Sequence, residues 1–150
     1  MKHQETITLT GTYTAIVLEN GKEVRRSVSK NIITKVGYLA IAQTMLSAQS
    51  ANPTLALGTG TNTPAVGDTD LQTPVVTNGR LSLSSAVQTT NTAKVKYDFF
   101  LTSAEVPNNT YTEVALFVYR GQKKLLSRAT INIVKAANQD LIINYELQFS

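Results

Sequence analysis

The stretch Leu55-Ala-Leu-Gly-Thr-Gly-Thr-Asn-Thr-Pro-Ala-Val-Gly-Asp-Thr-Asp-Leu-Gln-Thr-Pro-Val75 divides the chain. Leu55 and Leu57 share one face of a short buried strand, which Gly58 and Gly60 break. Small polar residues and Pro64 follow. Thr69-Asp-Leu-Gln72 fits a capping box, in which the threonine hydroxyl accepts from the Gln72 backbone N–H and the glutamine reaches back. Asp68 and Asp70 suit the same helix start. The pattern predicts a strand, a long ordered loop, one turn of helix and a stop at Pro74. Gly58-Thr-Gly60 reads as a bend. It is no phosphate loop, because no Lys-Ser or Lys-Thr pair follows at the required spacing. It is no dinucleotide fingerprint, because the third glycine is missing.

Before this stretch, residues 5 to 18 alternate. Ile7, Leu9, Tyr13, Ala15 and Val17 share one side, and threonines fill the other, as in a half-buried strand. Asn20-Gly21 is a two-residue hairpin turn, since both residues tolerate positive φ. The return strand, Glu23 to Ser29, is expected to point Val24 and Val28 inward. Residues 31 to 50 carry the one convincing helix, with Val36, Leu39, Ala40, Gln43 and Leu46 as its stripe and Ile33, Ile41 and Met45 widening it. Asn31 or Thr34 suits its cap. A helix so poor in charge calls for cover, from the sheet or from a neighbouring subunit.

After the loop the strands resume. Gly79 to Gln88 alternates through Leu81, Leu83 and Ala86, with a phase slip at Ser84-Ser85 that reads as a bulge. Val95, Tyr97 and Phe99 mark the next strand, over 93 to 102. Glu113 to Tyr119 is apolar on both faces, so it is read as a central strand covered on both sides. Residues 126 to 134 point Ala129, Ile131 and Ile133 inward. Leu141, Ile143, Tyr145, Leu147 and Phe149 alternate up to the C-terminus. The fold class expected is mainly β, an antiparallel sandwich or flattened barrel of about eight strands, regularly spaced. One helix over about residues 32–48 is inserted, and residues 1–150 form a single domain.

Composition narrows the chemistry. The chain has 150 residues, 14 basic and 10 acidic side chains, a net charge of +4 and no cysteine. Disulfides and thiolate metal sites are excluded. The one histidine, His3, sits near the amino end. That end lacks the apolar run of a signal peptide, which points to synthesis in the cytoplasm. No segment approaches the ~20 apolar residues that cross a bilayer, so no membrane is expected as a partner. The bases fall in small groups (Lys22 with Arg25 and Arg26, Lys94 with Lys96, Arg120 with Lys123 and Lys124), without interleaved aromatics. Nucleic acid is therefore not expected either. No Glu-x-x-His or Gly-x-Ser-x-Gly motif is present. An acid pair for glycoside hydrolysis would have to come from Asp68, Asp70, Asp98, Glu105 and Glu113. Glu113 beside the buried strand has Arg128 as its cross-strand partner, which reads as structural. No catalytic residue, cofactor or metal is expected.

Several segments together resemble small virion proteins of tailed bacteriophages. They are Asn31-Ile-Ile-Thr-Lys-Val-Gly-Tyr-Leu-Ala-Ile-Ala42, Ala56 to Leu71, Leu101-Thr-Ser-Ala-Glu105, Thr112-Glu-Val-Ala-Leu-Phe117 and Leu126-Ser-Arg-Ala129, in that order, within residues 30 to 149. Many of those relatives carry arginine where this chain has Thr112. The group includes tail, baseplate, fibre-adaptor and capsid-associated components. The resemblance implies a non-enzymatic structural part of the virion, present in many copies, that binds itself and other virion proteins. The alternative is a module that recognises a host surface glycan, for which Tyr13, Tyr38 and Tyr111 are the aromatic candidates. The long loop is the expected contact. Leu71 should pack on the core, while Thr61, Asn62, Thr63, Pro64, Ala65 and Val66 face a neighbouring subunit.

Overall fold

The structure is a computed structural model that describes residues 5–46, 52–79, 81–89, 92–120 and 122–150. The expected last residues of the helix, Ser47 and Ala48, and His3 lie outside the described residues. Among the described residues there are ten strands and one helix. In chain order the strands are β1 (Leu9–Glu19), β2 (Lys22–Lys30) and β3 (Ile32–Ile33), then helix α1 (Lys35–Leu46). They continue with β4 (Asn52–Gly58), β5 (Pro74–Gly79), β6 (Leu81–Thr89), β7 (Thr92–Leu101), β8 (Asn109–Arg120), β9 (Gln122–Lys135) and β10 (Asp140–Phe149).

The strands form two five-stranded sheets, in the orders β2-β1-β10-β7-β6 and β3-β9-β8-β4-β5. Every pairing is antiparallel. The sheets stay separate, so the fold is a sandwich and not a closed barrel. The alternating strands β1, β9 and β10 bury Tyr13, Ala15, Val17, Ala129, Ile131, Ile133, Leu141, Ile143, Tyr145 and Leu147 between the sheets, as their period of two requires. Leu55 and Leu57 of β4 join that core, and Ala56 between them points to a second apolar cluster on the outer face. Each large side chain so buried contributes roughly 1.5–3 kcal/mol.

Two buried tyrosines tie the sheets together. The Tyr13 hydroxyl lies 2.6 Å from Ser127 Oγ on the opposite sheet. Asn31 Nδ2 donates to the Tyr145 hydroxyl at 3.0 Å, and the two tyrosine rings sit 4.7 Å apart. Burial pushes the Tyr13 phenol well above its ordinary value and Tyr145 up to about 12.

Several expectations are corrected. Ile7 is exposed and precedes β1. Val24 and Val28 point outward, because the register between β1 and β2 shifts at Val17/Leu18. Leu18 pairs with Glu23 but Val17 pairs with Arg25, so Val24 is an extra residue. One extra residue turns all that follows to the other face, and Ser27 and Ser29 sit inward instead. The slip expected at Ser84-Ser85 lies earlier, between Leu81 and Leu83, and Ala86 is exposed. Pro74 starts a strand, β5, where a stop was expected. It is the first residue of an edge strand, a position where proline costs no ladder bond.

The helix begins later than expected. Ile32 and Ile33 are a short strand paired with Arg128 and Ser127 of β9. Thr34 then caps α1: its hydroxyl accepts from the Gly37 N–H at 2.9 Å and donates to the Leu125 carbonyl. Val36 packs on the outer cluster, and Ala40 and Ile41 pack on the main core. Leu39, expected in the buried stripe, is exposed, as is Tyr38. The helix is placed by Gly37, whose Cα lies so close to β9 that an added Cβ would meet the Leu126 carbonyl and Cα.

Gly37→Ala should force α1 off β9 and lower stability by about 1–3 kcal/mol or more, read from the midpoint of a urea transition. The tyrosines predict a pH limit. A phenol whose pKa rises on folding adds stability that is full below the unfolded value, about 10. That part is lost as pH climbs through the folded value, about 12 for Tyr145. Urea midpoints should therefore fall between about pH 10 and 12, less steeply in Tyr145→Phe.

Candidate functional site

Sheet β3-β9-β8-β4-β5 has an outer face that is apolar at its centre. Ala56, Ala115, Phe117 and Leu125 lie there, and all are buried. An apolar face needs a second layer. The segment between β4 and β5, residues 59 to 73, supplies it. Leu71 comes down onto this cluster and is 5% exposed, as expected from the sequence.

The loop is held by a carboxylate. Glu113 on β8 is fully buried, beside a register shift between β8 and β9 that re-aims the local side chains. Its Oε1 accepts from the N–H groups of Gly60 (3.0 Å) and Thr73 (2.7 Å), and its Oε2 from that of Gln72 (3.0 Å). Arg128 Nη2 and Nε donate to Oε2 at 2.8 and 3.2 Å. The cross-strand pair expected from the sequence is thus present, and it gathers both ends of the loop. Arg128 also reaches the loop's far side, donating to Asp68 Oδ2 at 2.8 Å and to the Asn62 carbonyl at 3.3 Å.

The capping box is not formed, and the loop holds no helical turn. Gln72 Oε1 accepts instead from the N–H groups of Thr61 and Asn62, at 2.9 and 3.0 Å. Asp68 accepts from the Ala65 N–H at 2.9 Å and from Arg128, where helix capping was expected. Charged groups 40 to 60 residues away outcompete a single isolated turn, which gains too little by itself. The glycines also have a different reason from a bend. A Cβ on Gly58 would meet Glu113 Oε1 and the Thr73 carbonyl, and one on Gly60 would meet Gln72 and Glu113. They are small so that backbone can approach the carboxylate.

Burial disfavours the charged form of Glu113, but the N–H groups of Thr73, Gln72 and Gly60 and the Arg128 guanidinium outweigh it and hold the carboxyl below its ordinary range. Asp68 is lowered in the same way, burial being opposed by the Ala65 N–H and Arg128. A carboxyl held below its ordinary range stays ionised at neutral pH. Among the described residues no group of three or more His, Cys, Asp or Glu is placed to hold a metal. No described helix is long and apolar enough to cross a membrane.

The expected contact residues form the outer side of the loop. Thr61, Asn62, Thr63, Ala65 and Val66 are exposed and Pro64 is half-buried. Their backbone is tied at Thr61, Asn62 and Ala65 as described, and the Lys35 N–H donates to the Val66 carbonyl at 2.8 Å. That bond seats the loop tip on the first turn of α1. Lys35, Tyr38, Leu39 and Ala42 share the exposed helix face, at i, i+3, i+4 and i+7. Val66 (51% exposed), Tyr38 (49%) and Leu39 (49%) make the neighbourhood apolar. Sequence reasoning missed Leu39 as surface, having placed it in the buried stripe. Of the aromatics considered for sugar binding, Tyr13 and Tyr111 are fully buried, Tyr111 donating to the Pro107 carbonyl at 2.7 Å, and Tyr38 alone is exposed. The chain matches no known family model, no curated protein and no solved structure.

Two variants test the anchoring. Glu113→Gln turns an amide donor toward a ring of donors and leaves Arg128 with Asp68 as its remaining carboxylate, so it should cost about 3 kcal/mol or more at neutral pH. The wild-type carboxyl is lowered on folding, so its contribution is full above the unfolded value, about 4.3, and is lost as pH falls through the folded one. The gap between the two proteins' urea midpoints should therefore narrow in acid. Leu71→Ala should cost roughly 2–5 kcal/mol in the same measurement, because it opens a hole under the loop.

Proposed function

We propose that the protein is a non-enzymatic structural component of a tailed-phage virion, which acts by binding further copies of itself and other virion proteins. The observation that carries this reading is the patch formed by the loop tip and the outer face of α1. Single exposed apolar residues are ordinary, but Val66, Tyr38 and Leu39 gather where a backbone hydrogen bond joins two elements. The backbone beneath is pinned by buried charge, so the patch is preorganised and little entropy is lost when a partner docks. The order of segments shared with small phage virion proteins supports the same reading, as does the low charge of the helix.

Light scattering and native mass spectrometry of the pure protein, alone and with candidate virion proteins, test it. Leu39→Asp combined with Val66→Asp should weaken association by roughly tenfold or more while leaving the thermal transition in place. Replacing Asn62 to Gly67 by a Gly-Ser linker should do the same, since Glu113, Gln72 and Asp68 remain. A parent protein that stays monomeric and binds no virion protein overturns the proposal.

A further inference from the structure

We infer that β6 is a docking edge for a second copy of this chain, pairing antiparallel with β6 of its partner. The inference rests on the reading that the chain self-associates, but it concerns a surface other than the loop patch.

Each sheet of a sandwich ends in two strands with unpaired backbone groups, and proteins guard such edges. Three of the four here are guarded. β2 carries Lys22, Glu23, Arg25, Arg26 and Lys30 within nine residues. β3 is two residues long. The stretch of β9 beyond β3 is capped by side chains from β2: the Ser29 hydroxyl donates to the Thr130 carbonyl, and Arg25 Nη1 donates to that of Val134 at 3.0 Å. β5 starts with Pro74, and its register against β4 shifts at Leu55/Ala56 and again at Leu57/Gly58.

β6 has only one of these devices, a register shift at its very start. Its nine residues, Leu-Ser-Leu-Ser-Ser-Ala-Val-Gln-Thr, hold no charge, no proline and no glycine. After the shift at Leu81/Leu83 it pairs with β7 without a break, from Leu83 opposite Asp98 to Thr89 opposite Thr92. A regular strand of that length presents an even row of outward N–H and C=O groups on the edge away from β7. Ser85, Ala86 and Val87 are exposed. The flanking sequence is equally poor in charge, with Arg80 alone between Asp70 and Lys94. The nearest charges across the sheet belong to β7, where Lys94 and Lys96, opposite Val87 and Ser85, are paired with Glu146.

That neutrality selects the occupant. A strand set against a two-fold copy of itself places each residue opposite one of its own kind of neighbours, so charges repel and neutral residues do not. β2 against β2 would oppose lysines and arginines, whereas β6 against β6 opposes only serine, alanine, valine, leucine, glutamine and threonine. An acidic or basic partner finds nothing on β6 to recognise. Antiparallel pairing across the two-fold would join two five-stranded sheets into one continuous sheet through the dimer.

The absence of cysteine makes a direct test possible. Ser85→Cys, Ala86→Cys and Val87→Cys, made singly in the full chain, should yield disulfide-linked dimers on mild oxidation at one or more positions, and Val28→Cys on β2 should not. Ser85→Glu with Val87→Glu, which sets each new carboxylate opposite Lys96 or Lys94 within the chain but against its own copy across the two-fold, should weaken self-association in sedimentation equilibrium by roughly tenfold or more, with the far-ultraviolet circular dichroism unchanged. If that variant does not fold, the cysteine series decides. If the parent self-associates but no β6 cysteine cross-links, the inference falls while self-association through the loop patch stands. If the parent is monomeric at all concentrations, both fall.

Discussion

Glu113 is a charged group in a place without water, and the rest of the second sheet is arranged around what that requires. A buried carboxylate is tolerable only with donors on its lone pairs. Arg128 supplies two of them and loop backbone supplies three, from Gly60, Gln72 and Thr73. Both ends of the loop are thereby drawn to one point on β8. Once they are there, Leu71 falls over Phe117 and Leu125, and β8 can be apolar on both of its faces. The remaining donors of Arg128 reach Asp68 and Asn62 and settle the middle of the loop. Well-packed apolar residues could match such a cluster in stability. What the charges add is position, because a carboxylate with five directed donors admits one arrangement of the backbone around it.

The placement of α1 follows from the same region. Its first turn is fixed by Thr34 on the Leu125 carbonyl, by Gly37 against Leu126 and by the loop at Val66. β9 bulges between its partners for Leu116 and Phe117, so that Leu125 enters the outer cluster and Leu126 the main core. The helix straddles these two leucines. It therefore contacts both clusters through Val36, Ala40 and Ile41, and its opposite face, which is as apolar as the packed one, is left on the surface.

The two sides of the sandwich differ in character. The side of β2 and β3 is charged and its open backbone is capped from within. The side of β5 and β6 is nearly without charge. A chain with a net charge of +4 is thus not evenly basic, and its neutral surfaces are the long edge at β6 and the patch of loop and helix.

Much of this was legible in the chain by itself. The period of two in β1, β9 and β10 determined which residues face the core, since a strand offers no other way to bury Tyr13, Ile133 or Tyr145 together with their neighbours. The double apolarity of 113 to 119 announced a layer on each side, Asn20-Gly21 marked its turn, with φ of 51° and 76°, and Glu113 with Arg128 was visible as a pair. Other features depended on partners distant in sequence. The faces of β2 turned on a bulge that only pairing with β1 creates. Ile32 and Ile33 became a strand because β9 offered an unpaired edge, although their helical continuation was locally reasonable. Thr69 to Gln72 gave up a capping box because Glu113 claimed the Gln72 N–H and Arg128 claimed the preceding Asp68, and one isolated helical turn gains too little to compete with a buried charge. Periodicity reports what each segment can bury, but the choice between local conformations of similar energy was made by groups that meet only when the sheets close.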